Sequence, residues 1–254
     1  MTDQAKQTAA VTLERWQHAQ VTYEGETKDV YKQGSGPGVV VIHEIPGITP
    51  AVAAFGQEVV DAGYTVWMPS LVGTPGRAIS RGYTMASVLR VCISREFATW
   101  ATGRTSPVTA WCRALAADLH RETGGPGVGA VGMCFSGGFA LAMMFDDTIA
   151  APVLSQPSLP FAIGRSRSAN LGLDATDLAR VRERVVDGCA VLGLRYRGDK
   201  LVGTRFATLH DELGAGFVAV EFDGGEHSVL TEDRQQHGVD EVLAFFAGRL
   251  HAPG

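Results

Sequence analysis

Short apolar segments alternate with amphipathic helical segments along most of the chain, and this alternation restricts the possible folds more than any other feature. The segment Val-Val-Val-Ile-His at 39–43 is apolar almost throughout, which is typical of a strand buried on both faces of a sheet. Comparable apolar segments occur at 64–69, 128–133, 151–155, 190–196 and 217–222. Because helical segments separate them, we predict an α/β fold with a doubly wound, mostly parallel sheet and helices on both faces.

The helical segments carry their own start and stop signals. The segment at 49–63 begins with Thr49 and Pro50 and ends at Gly63, and the segment at 106–125 begins with Ser-Pro and ends with Gly-Gly. No internal repeat or low-complexity linker interrupts the pattern. We therefore predict a single domain over 1–254, in which residues 1–20 form a variable helical extension and a hairpin turns around Glu24-Gly25-Glu26.

Composition and charge exclude several classes of protein. With 254 residues, 45% of them hydrophobic and 19% charged, the chain can bury a substantial core. A formal net charge of −5 argues against a nucleic-acid partner. No apolar stretch has the length of a membrane helix or a signal peptide, so no membrane partner is expected. Four scattered cysteines without a Cys-x-x-Cys pair predict reduced thiols, no zinc knuckle and a cytoplasmic location.

Three chemically competent side chains each follow a predicted strand. Cys134 follows the strand at 128–133, Asp199 follows the strand at 190–196, and His227 follows the strand at 217–222. The carboxyl ends of parallel strands meet at one edge of a sheet, where ligands and catalytic groups collect. The order nucleophile, acid, histidine is that of a hydrolase triad built on such a sheet.

Glycines surround Cys134 in a way that a buried structural cysteine would not require. Gly132 lies two residues before it, and Ser136 lies two residues after it, followed by Gly-Gly. This pattern predicts a sharp strand-to-helix turn, in which serine replaces the usual second glycine. The start of a helix favours a thiolate, and the Phe135 amide is placed to bind an oxyanion. The Ile45 amide, in the loop after the first core strand, is the natural second donor.

Three segments together resemble the dienelactone hydrolase family of α/β-hydrolases. They are Gly-Met-Cys-Phe-Ser-Gly-Gly at 132–138, Val-Val-Val-Ile-His-Glu-Ile-Pro-Gly-Ile at 39–48 and Glu-Phe-Asp-Gly-Gly-Glu-His-Ser-Val-Leu at 221–230. The resemblance extends from about residue 39 to the C-terminus. It implies a Cys134-Asp199-His227 triad and a role for Glu44, whose carboxylate in the family contacts the resting thiol. Related enzymes hydrolyse dienelactones, which are cyclic enol esters.

The chain departs from that family at two places. The family binds the substrate carboxylate with arginines, one of them four residues after the histidine, where this chain has Thr231. Arg95 is a loose match to a second family arginine and is the predicted substrate contact on that side. The segment Ser158–Asp174 is predicted to be an insertion that reshapes the pocket entrance.

Alternatives remain open at each position. Ser136 is a second candidate nucleophile, and Asp223 is a second candidate acid. His43 either lines the substrate site or is a hydrogen-bonded structural residue. The main hypothesis is a cysteine-dependent hydrolase of a small ester or lactone, monomeric or a small homo-oligomer, that needs no metal or organic cofactor. The alternatives are a broad carboxylesterase or thioesterase on the same fold and a hydrolase-fold protein that binds a ligand without turnover.

Overall fold

Eight strands form one sheet in the computed structural model, which describes residues 13–93, 107–159 and 164–251. In chain order they are β1 (Gln17–Tyr23), β2 (Glu26–Gln33), β3 (Gly38–Ile42), β4 (Thr65–Pro69), β5 (Val128–Met133), β6 (Ile149–Ser155), β7 (Val191–Tyr196) and β8 (Phe217–Phe222). Their order across the sheet is β1-β2-β4-β3-β5-β6-β7-β8. Strands β3 to β8 pair in parallel, whereas β1 and β2 are antiparallel to their neighbours. The predicted mostly parallel sheet is confirmed.

Helices cover both faces of this sheet. They are α1 (Pro50–Asp61), α2 (Arg81–Ile93), α3 (Pro107–Thr123), α4 (Gly137–Met143), α5 (Arg165–Ala169), α6 (Ala175–Val186), α7 (Arg205–Leu213) and α8 (Gln236–Leu250). The buried residues of α1 and α8 belong to one hydrophobic cluster, and those of α3, α4, α6 and α7 belong to a second. The sheet therefore lies between two separate apolar layers, as the alternation of segments predicts.

Strand β3 shows why its sequence is apolar throughout. Val39 and Val41 pack into the cluster that contains α1 and α8, whereas Val40 and Ile42 pack into the opposite cluster. All four side chains have no exposed surface. Complete burial of each such side chain stabilises the fold by about 1.5–3 kcal/mol. This two-sided burial fixes the strand and thereby the position of the residues that follow it.

Helix α1 begins where its sequence signals predict. The Oγ of Thr49 accepts a hydrogen bond from the backbone N–H of Val52 at 3.3 Å, and Pro50 is the first helical residue. The chain leaves the helix at Gly63, whose φ of +93° suits glycine. The helix thus connects the end of β3 to the start of β4, which is its neighbour in the sheet.

The prediction of a helical extension over residues 1–20 is wrong at its end. Residues 17–20 belong to β1, which pairs in antiparallel register with β2 from Gln17↔Lys32 to Tyr23↔Glu26. A short 3₁₀ turn, Leu13–Arg15, precedes the strand. These residues form a strand because burial alternates along β1, so that every second side chain packs against the protein and the others face solvent. The predicted hairpin between β1 and β2 is confirmed.

A buried arginine fixes the described part of the segment predicted as an insertion. Arg205 at the start of α7 is 1% exposed, and its guanidinium donates to the carbonyls of Asn170 at 2.9 Å, Arg167 at 3.1 Å and Val202 at 2.8 Å. Burial lowers the pKa of Arg205 to about 10. These bonds tie α5 to α7. That the segment shapes the pocket entrance stays a prediction.

Candidate active site

The predicted catalytic side chains all follow strands at the same edge of the sheet. Glu44 follows β3, Cys134 follows β5, Asp199 follows β7 and His227 follows β8. Strand β6 adds Ser158, which the sequence analysis did not assign to the site. Because these strands are parallel, their carboxyl ends converge and bring together residues that lie far apart in the chain.

Cys134 occupies a strained turn between β5 and α4. Its φ is +55°, which is unusual for a residue with a side chain. The turn is tight because a Cβ at Gly132 would lie 2.1 Å from the carbonyl oxygen of Ser136. A Cβ at Gly137 would lie 2.6 Å from the Cα of Pro157. The two glycines are therefore required by close backbone approach, and strain of this kind is typical of functional positions.

Ser136, the second candidate nucleophile, has a structural role instead. Its side chain is completely buried, and its Oγ accepts from the N–H of Met133 at 2.9 Å. The hydroxyl lies within hydrogen-bond distance of three carbonyl oxygens, those of Ile42, His43 and Met133, at 3.0–3.1 Å. A hydroxyl held between the ends of β3 and β5 in this way faces no substrate. Serine in place of the usual glycine joins the turn to the neighbouring strand.

The acid and the histidine of the predicted triad are hydrogen-bonded. The Nδ1 of His227 lies 2.7 Å from Oδ2 of Asp199, whose Oδ1 accepts from the N–H of Leu201 at 2.9 Å. The competing acid, Asp223, has a fully exposed side chain that pairs with Arg197 at 3.4 Å. Asp199 is buried, so its carboxylate is held against the imidazole while Asp223 points to solvent.

The other ring nitrogen of His227 is directed to the site. Its Nε2 is buried and has no hydrogen-bond partner among the described residues. A ring nitrogen of His227, the Sγ of Cys134 and a carboxylate oxygen of Glu44 lie within 4.8 Å of one another. Burial alone would lower the pKa of His227, but the hydrogen bond to Asp199 and the adjacent Cys134 together raise it to about 11. The ring is therefore disposed to carry a proton beside the sulfur.

Glu44 is buried and bound by neutral donors. It is 2% exposed, and its carboxylate accepts from the hydroxyls of Thr231 and Ser228, the latter at 2.8 Å, and from the amide of Gln156 at 3.3 Å. Burial raises the pKa of Glu44, although the two hydroxyls oppose this shift. The sulfur of Cys134 is close to this carboxylate but is hydrogen-bonded elsewhere.

The hydrogen-bond partner of the sulfur is Ser158. Its Oγ lies 3.2 Å from the Sγ of Cys134, and its backbone N–H donates to the carbonyl of Cys134 at 3.0 Å. Ser158 is 1% exposed, and the sulfur is the sole partner of its hydroxyl among the described residues. The sequence Ser-Gln-Pro-Ser at 155–158 gives no local signal that would assign Ser158 to the site.

His43 is not placed to contact a substrate, and the expected substrate contact is corrected to a structural role. The ring has no exposed surface, its Nδ1 bonds the carbonyl of Glu44 at 2.7 Å, and its Nε2 accepts from the N–H of Leu71 at 2.9 Å. Burial lowers the pKa of His43 to about 4, so the ring is neutral. It joins the end of β3 to the loop after β4. The other expected substrate contact, Arg95, lies outside the described residues.

The two predicted oxyanion donors directly follow Cys134 and Glu44 in the chain. Phe135 is the second residue of the 3₁₀ turn Cys134–Ser136. Backbone N–H groups in the first turn of a helix have no acceptor within that helix. Its ring packs 5.7 Å from the ring of His43. Ile45 directly follows the buried Glu44. Both positions agree with the predicted oxyanion role, which stays a prediction.

Asp233 supports the histidine loop and was missed by the sequence analysis. One of its carboxylate oxygens accepts from the backbone N–H groups of both His227 and Ser228, each at 3.1 Å. The carboxylate therefore fixes the loop that places the imidazole and the hydroxyl bonded to Glu44. An aspartate six residues after a histidine gives no recognisable signal in a single sequence.

Comparison of the sequence with protein families identifies the chain. The profile of the dienelactone hydrolase family matches residues 23–160, which is more than half of the chain. The chain belongs to the dienelactone hydrolase family. It is accordingly a hydrolase of ester bonds, as the resemblance predicts. No curated protein sequence matches it.

Solved structures share the α/β-hydrolase fold of this dienelactone hydrolase family member. A putative dienelactone hydrolase from Klebsiella pneumoniae has a TM-score of 0.65 at 18% identity, covering 91% of this chain and 98% of its own. A dienelactone hydrolase from Anabaena variabilis has a TM-score of 0.65 at 14% identity, covering 93% and 99%. P91, a dienelactone hydrolase-like promiscuous phosphotriesterase from metagenomic libraries, has a TM-score of 0.65 at 16% identity, covering 92% and 98%. These identities establish the fold alone.

Within the described ranges of this family member, no helix is both long enough and apolar enough to cross a lipid bilayer.

Proposed function

We propose that the chain is a cysteine-dependent hydrolase of a small ester or lactone, with Cys134, His227 and Asp199 as its triad. The observation that carries the proposal is the combination of a strained φ of +55° at Cys134 with an imidazole that is oriented by a carboxylate beside the sulfur. One nitrogen of that imidazole is bonded to Asp199 at 2.7 Å, and the ring reaches within 4.8 Å of the sulfur. A purely structural cysteine needs neither the strained turn nor the oriented histidine.

The first half of the reaction is acylation of sulfur. The Cys134 thiolate attacks the ester carbonyl, and a C–S bond forms while the oxyanion is bound by the amides of Phe135 and Ile45. The C–O bond then breaks, and the leaving oxygen takes the proton from Nε2 of His227. Asp199 holds Nδ1 and thereby keeps Nε2 directed at the reacting atoms. In a lactone the leaving oxygen stays attached to the acyl group.

The second half releases the acid. Neutral His227 accepts a proton from water, whose oxygen attacks the thioester carbonyl. The C–S bond breaks and restores the thiolate, which the Ser158 hydroxyl at 3.2 Å and the imidazolium stabilise. A carboxylate oxygen of Glu44 lies within 4.8 Å of the sulfur, where repulsion between the two groups favours donation of the sulfur's electron pair to a carbonyl carbon. No step in this scheme requires a metal or an organic cofactor.

One observation favours uncharged esters as substrates and thus supports the alternative of a broad carboxylesterase. The hydroxyl of Thr231, at the position of the expected arginine, donates to Glu44 and does not face a substrate carboxylate. All three donors to Glu44 are neutral groups. An anionic lactone therefore gains no cationic partner from this side of the site, whereas a neutral ester needs none.

Two variants, each assayed with a neutral ester and with a dienelactone, test both the cysteine mechanism and the substrate preference. We expect Cys134→Ala to abolish hydrolysis of p-nitrophenyl acetate and of a dienelactone, whereas the other variant, Ser136→Ala, retains turnover in its folded fraction. Equal rates for wild type and Cys134→Ala would refute the cysteine mechanism. A kcat/KM for the neutral ester above that for the anionic lactone supports the esterase reading, and the reverse supports a dienelactone substrate.

A cytoplasmic location is part of the same proposal. Cys112, Cys134 and Cys189 are free thiols, and a nucleophilic thiol must stay reduced to act. A small ester or lactone is the partner required by the chemistry. A non-catalytic binding role is disfavoured because binding needs no pairing of Asp199 with His227. Turnover of any ester that depends on Cys134 would exclude it.

A further inference from the structure

Three ligand types favoured by zinc converge at the proposed nucleophile. A carboxylate oxygen of Glu44, the sulfur of Cys134 and a ring nitrogen of His227 lie within 4.8 Å of one another. In a tetrahedral zinc site, with Zn–S near ~2.3 Å and Zn–N and Zn–O near ~2.0 Å, ligand atoms lie about 3.3–3.5 Å apart. The three atoms are thus at most about 1.5 Å from that spacing, a distance that side-chain rotation can close.

Hydrogen bonds already orient two of the three ligands as metal ligands are usually oriented. The Nδ1 of His227 is bonded to Asp199 at 2.7 Å, which leaves Nε2 as the nitrogen that can bind a metal. A carboxylate bonded to the far nitrogen is the common support of a zinc-bound histidine. Ser228 and Gln156 hold the Glu44 carboxylate at 2.8 Å and 3.3 Å.

Two buried carboxylates and the sulfur can offset the charge of a dication once the ion has displaced the proton from His227. Glu44 and Asp199 are 2% and 6% exposed, and the hydrogen bonds to Glu44 come only from neutral groups. Nε2 of His227 is buried without a hydrogen-bond partner among the described residues. A cation between the sulfur, the imidazole and the carboxylate would satisfy this nitrogen and offset buried negative charge.

We propose that Glu44, Cys134 and His227 bind a thiophilic divalent cation such as Zn²⁺, and that the bound ion reversibly inhibits the enzyme. The inhibition rests on the proposed cysteine mechanism, whereas the binding does not. The ion binds the lone pair of the Cys134 sulfur, which attacks the ester, and the Nε2 of His227, which carries the proton. Both halves of the reaction are blocked while the ion is bound. The metal is an inhibitor here and takes no part in turnover.

Titration with Cd²⁺ reports binding independently of activity, because a cadmium–thiolate bond has an ultraviolet charge-transfer band. We expect the reduced wild-type protein to develop this band on addition of Cd²⁺, and Cys134→Ser to lose it. Cys189→Ala is the matched control, since it removes a different free thiol and should keep the band. Zn²⁺ should inhibit ester hydrolysis over the concentration range in which it displaces Cd²⁺, and a chelator should restore the rate.

Two further variants test the other two ligands. Glu44→Gln removes a ligand charge, and Asp199→Asn removes the support of the histidine, so each should weaken Cd²⁺ binding about 10–100-fold. Glu44→Asp provides a second test of the carboxylate if the glutamine variant does not fold, and circular dichroism establishes folding in every case. Unchanged affinity in folded Glu44 variants, or an equal band in Cys134→Ser, would overturn the proposed site. If Cys134→Ala retained hydrolysis while Cd²⁺ still bound wild type at Cys134, the cysteine mechanism would be wrong and the metal site correct.

Discussion

Replacement of Ser136 by alanine separates a structural hydroxyl from a nucleophile. In the structure the hydroxyl is completely buried, accepts from the N–H of Met133 at 2.9 Å and lies within 3.1 Å of the carbonyl oxygens of Ile42 and His43. The substitution leaves a buried amide without its partner and removes the bond between the turn and the end of β3. No atom of a substrate is involved in either contact.

The expected loss of stability follows from these contacts. An unsatisfied buried donor costs about 1–3 kcal/mol, and a neutral hydrogen bond contributes about 1 kcal/mol. We expect Ser136→Ala to lower the free energy of unfolding by about 2–4 kcal/mol. For a chain of this size each kcal/mol corresponds to roughly 2–4 °C, so the thermal midpoint should fall by roughly 4–16 °C.

Thermal unfolding followed by circular dichroism measures the change, with Ser35→Ala as the control. Ser35 lies in an exposed bend and has no hydrogen bond among the described residues, so its removal should leave the midpoint unchanged. Below the transition, folded Ser136→Ala should retain ester hydrolysis and iodoacetamide labelling at Cys134. A midpoint equal to that of Ser35→Ala would show that the buried hydroxyl stabilises nothing. A folded, normally labelled but inactive Ser136→Ala would return the nucleophile assignment to serine.

Three further perturbations test other parts of the site. Asp199→Asn should lower kcat by about 10³-fold or more while KM changes little, because the imidazole loses its orienting partner. Steady-state kinetics with a neutral ester measures both constants. A change confined to KM would contradict the prediction. Gly132→Ala should prevent stable folding, since its Cβ would lie 2.1 Å from the carbonyl oxygen of Ser136; a wild-type unfolding midpoint would disprove the tight turn. The pKa of His227 is raised from 6.5 to about 11, so the stability due to its proton is complete below 6.5 and declines as pH rises through about 11. Unfolding midpoints should fall more steeply between pH 7 and 11 for wild type than for His227→Gln, and parallel curves would refute the shift.

Much of the fold could be predicted because burial on two faces leaves a clear pattern in the sequence. Val39, Val40, Val41 and Ile42 are apolar because each faces one of two hydrophobic layers. The first half of strand β1, residues 17–20, escaped prediction because it lies at the edge of the sheet, where polar residues such as Gln17 are tolerated and the apolar pattern is weak.

Some residues of the candidate site can be predicted from the sequence around them, whereas others are brought to the site only by long-range packing. Gly132, Cys134 and the residues after them carry their signal locally, since the turn itself demands small residues. Ser158 carries none, because its contact with the sulfur arises only when the loops after β5 and β6 are packed together. His43 illustrates the converse case. A histidine at a strand end beside a glutamate suggests a ligand contact, and only the positions of Glu44 and Leu71 show that both ring nitrogens are used by the backbone.

The contacts of Glu44 link the departure from the family pattern to the substrate. An arginine at position 231 would offer both a counter-ion to this carboxylate and a partner for an anionic substrate. Threonine supplies a single neutral hydrogen bond to Glu44, and Gln156 and Ser228 supply two more. The carboxylate therefore keeps its place within 4.8 Å of the sulfur without an adjacent cation among its hydrogen-bond partners. We therefore expect neutral acyl groups to be hydrolysed in preference to carboxylates, because none of the three hydrogen-bond donors to Glu44 is a cation that could also bind an anionic substrate.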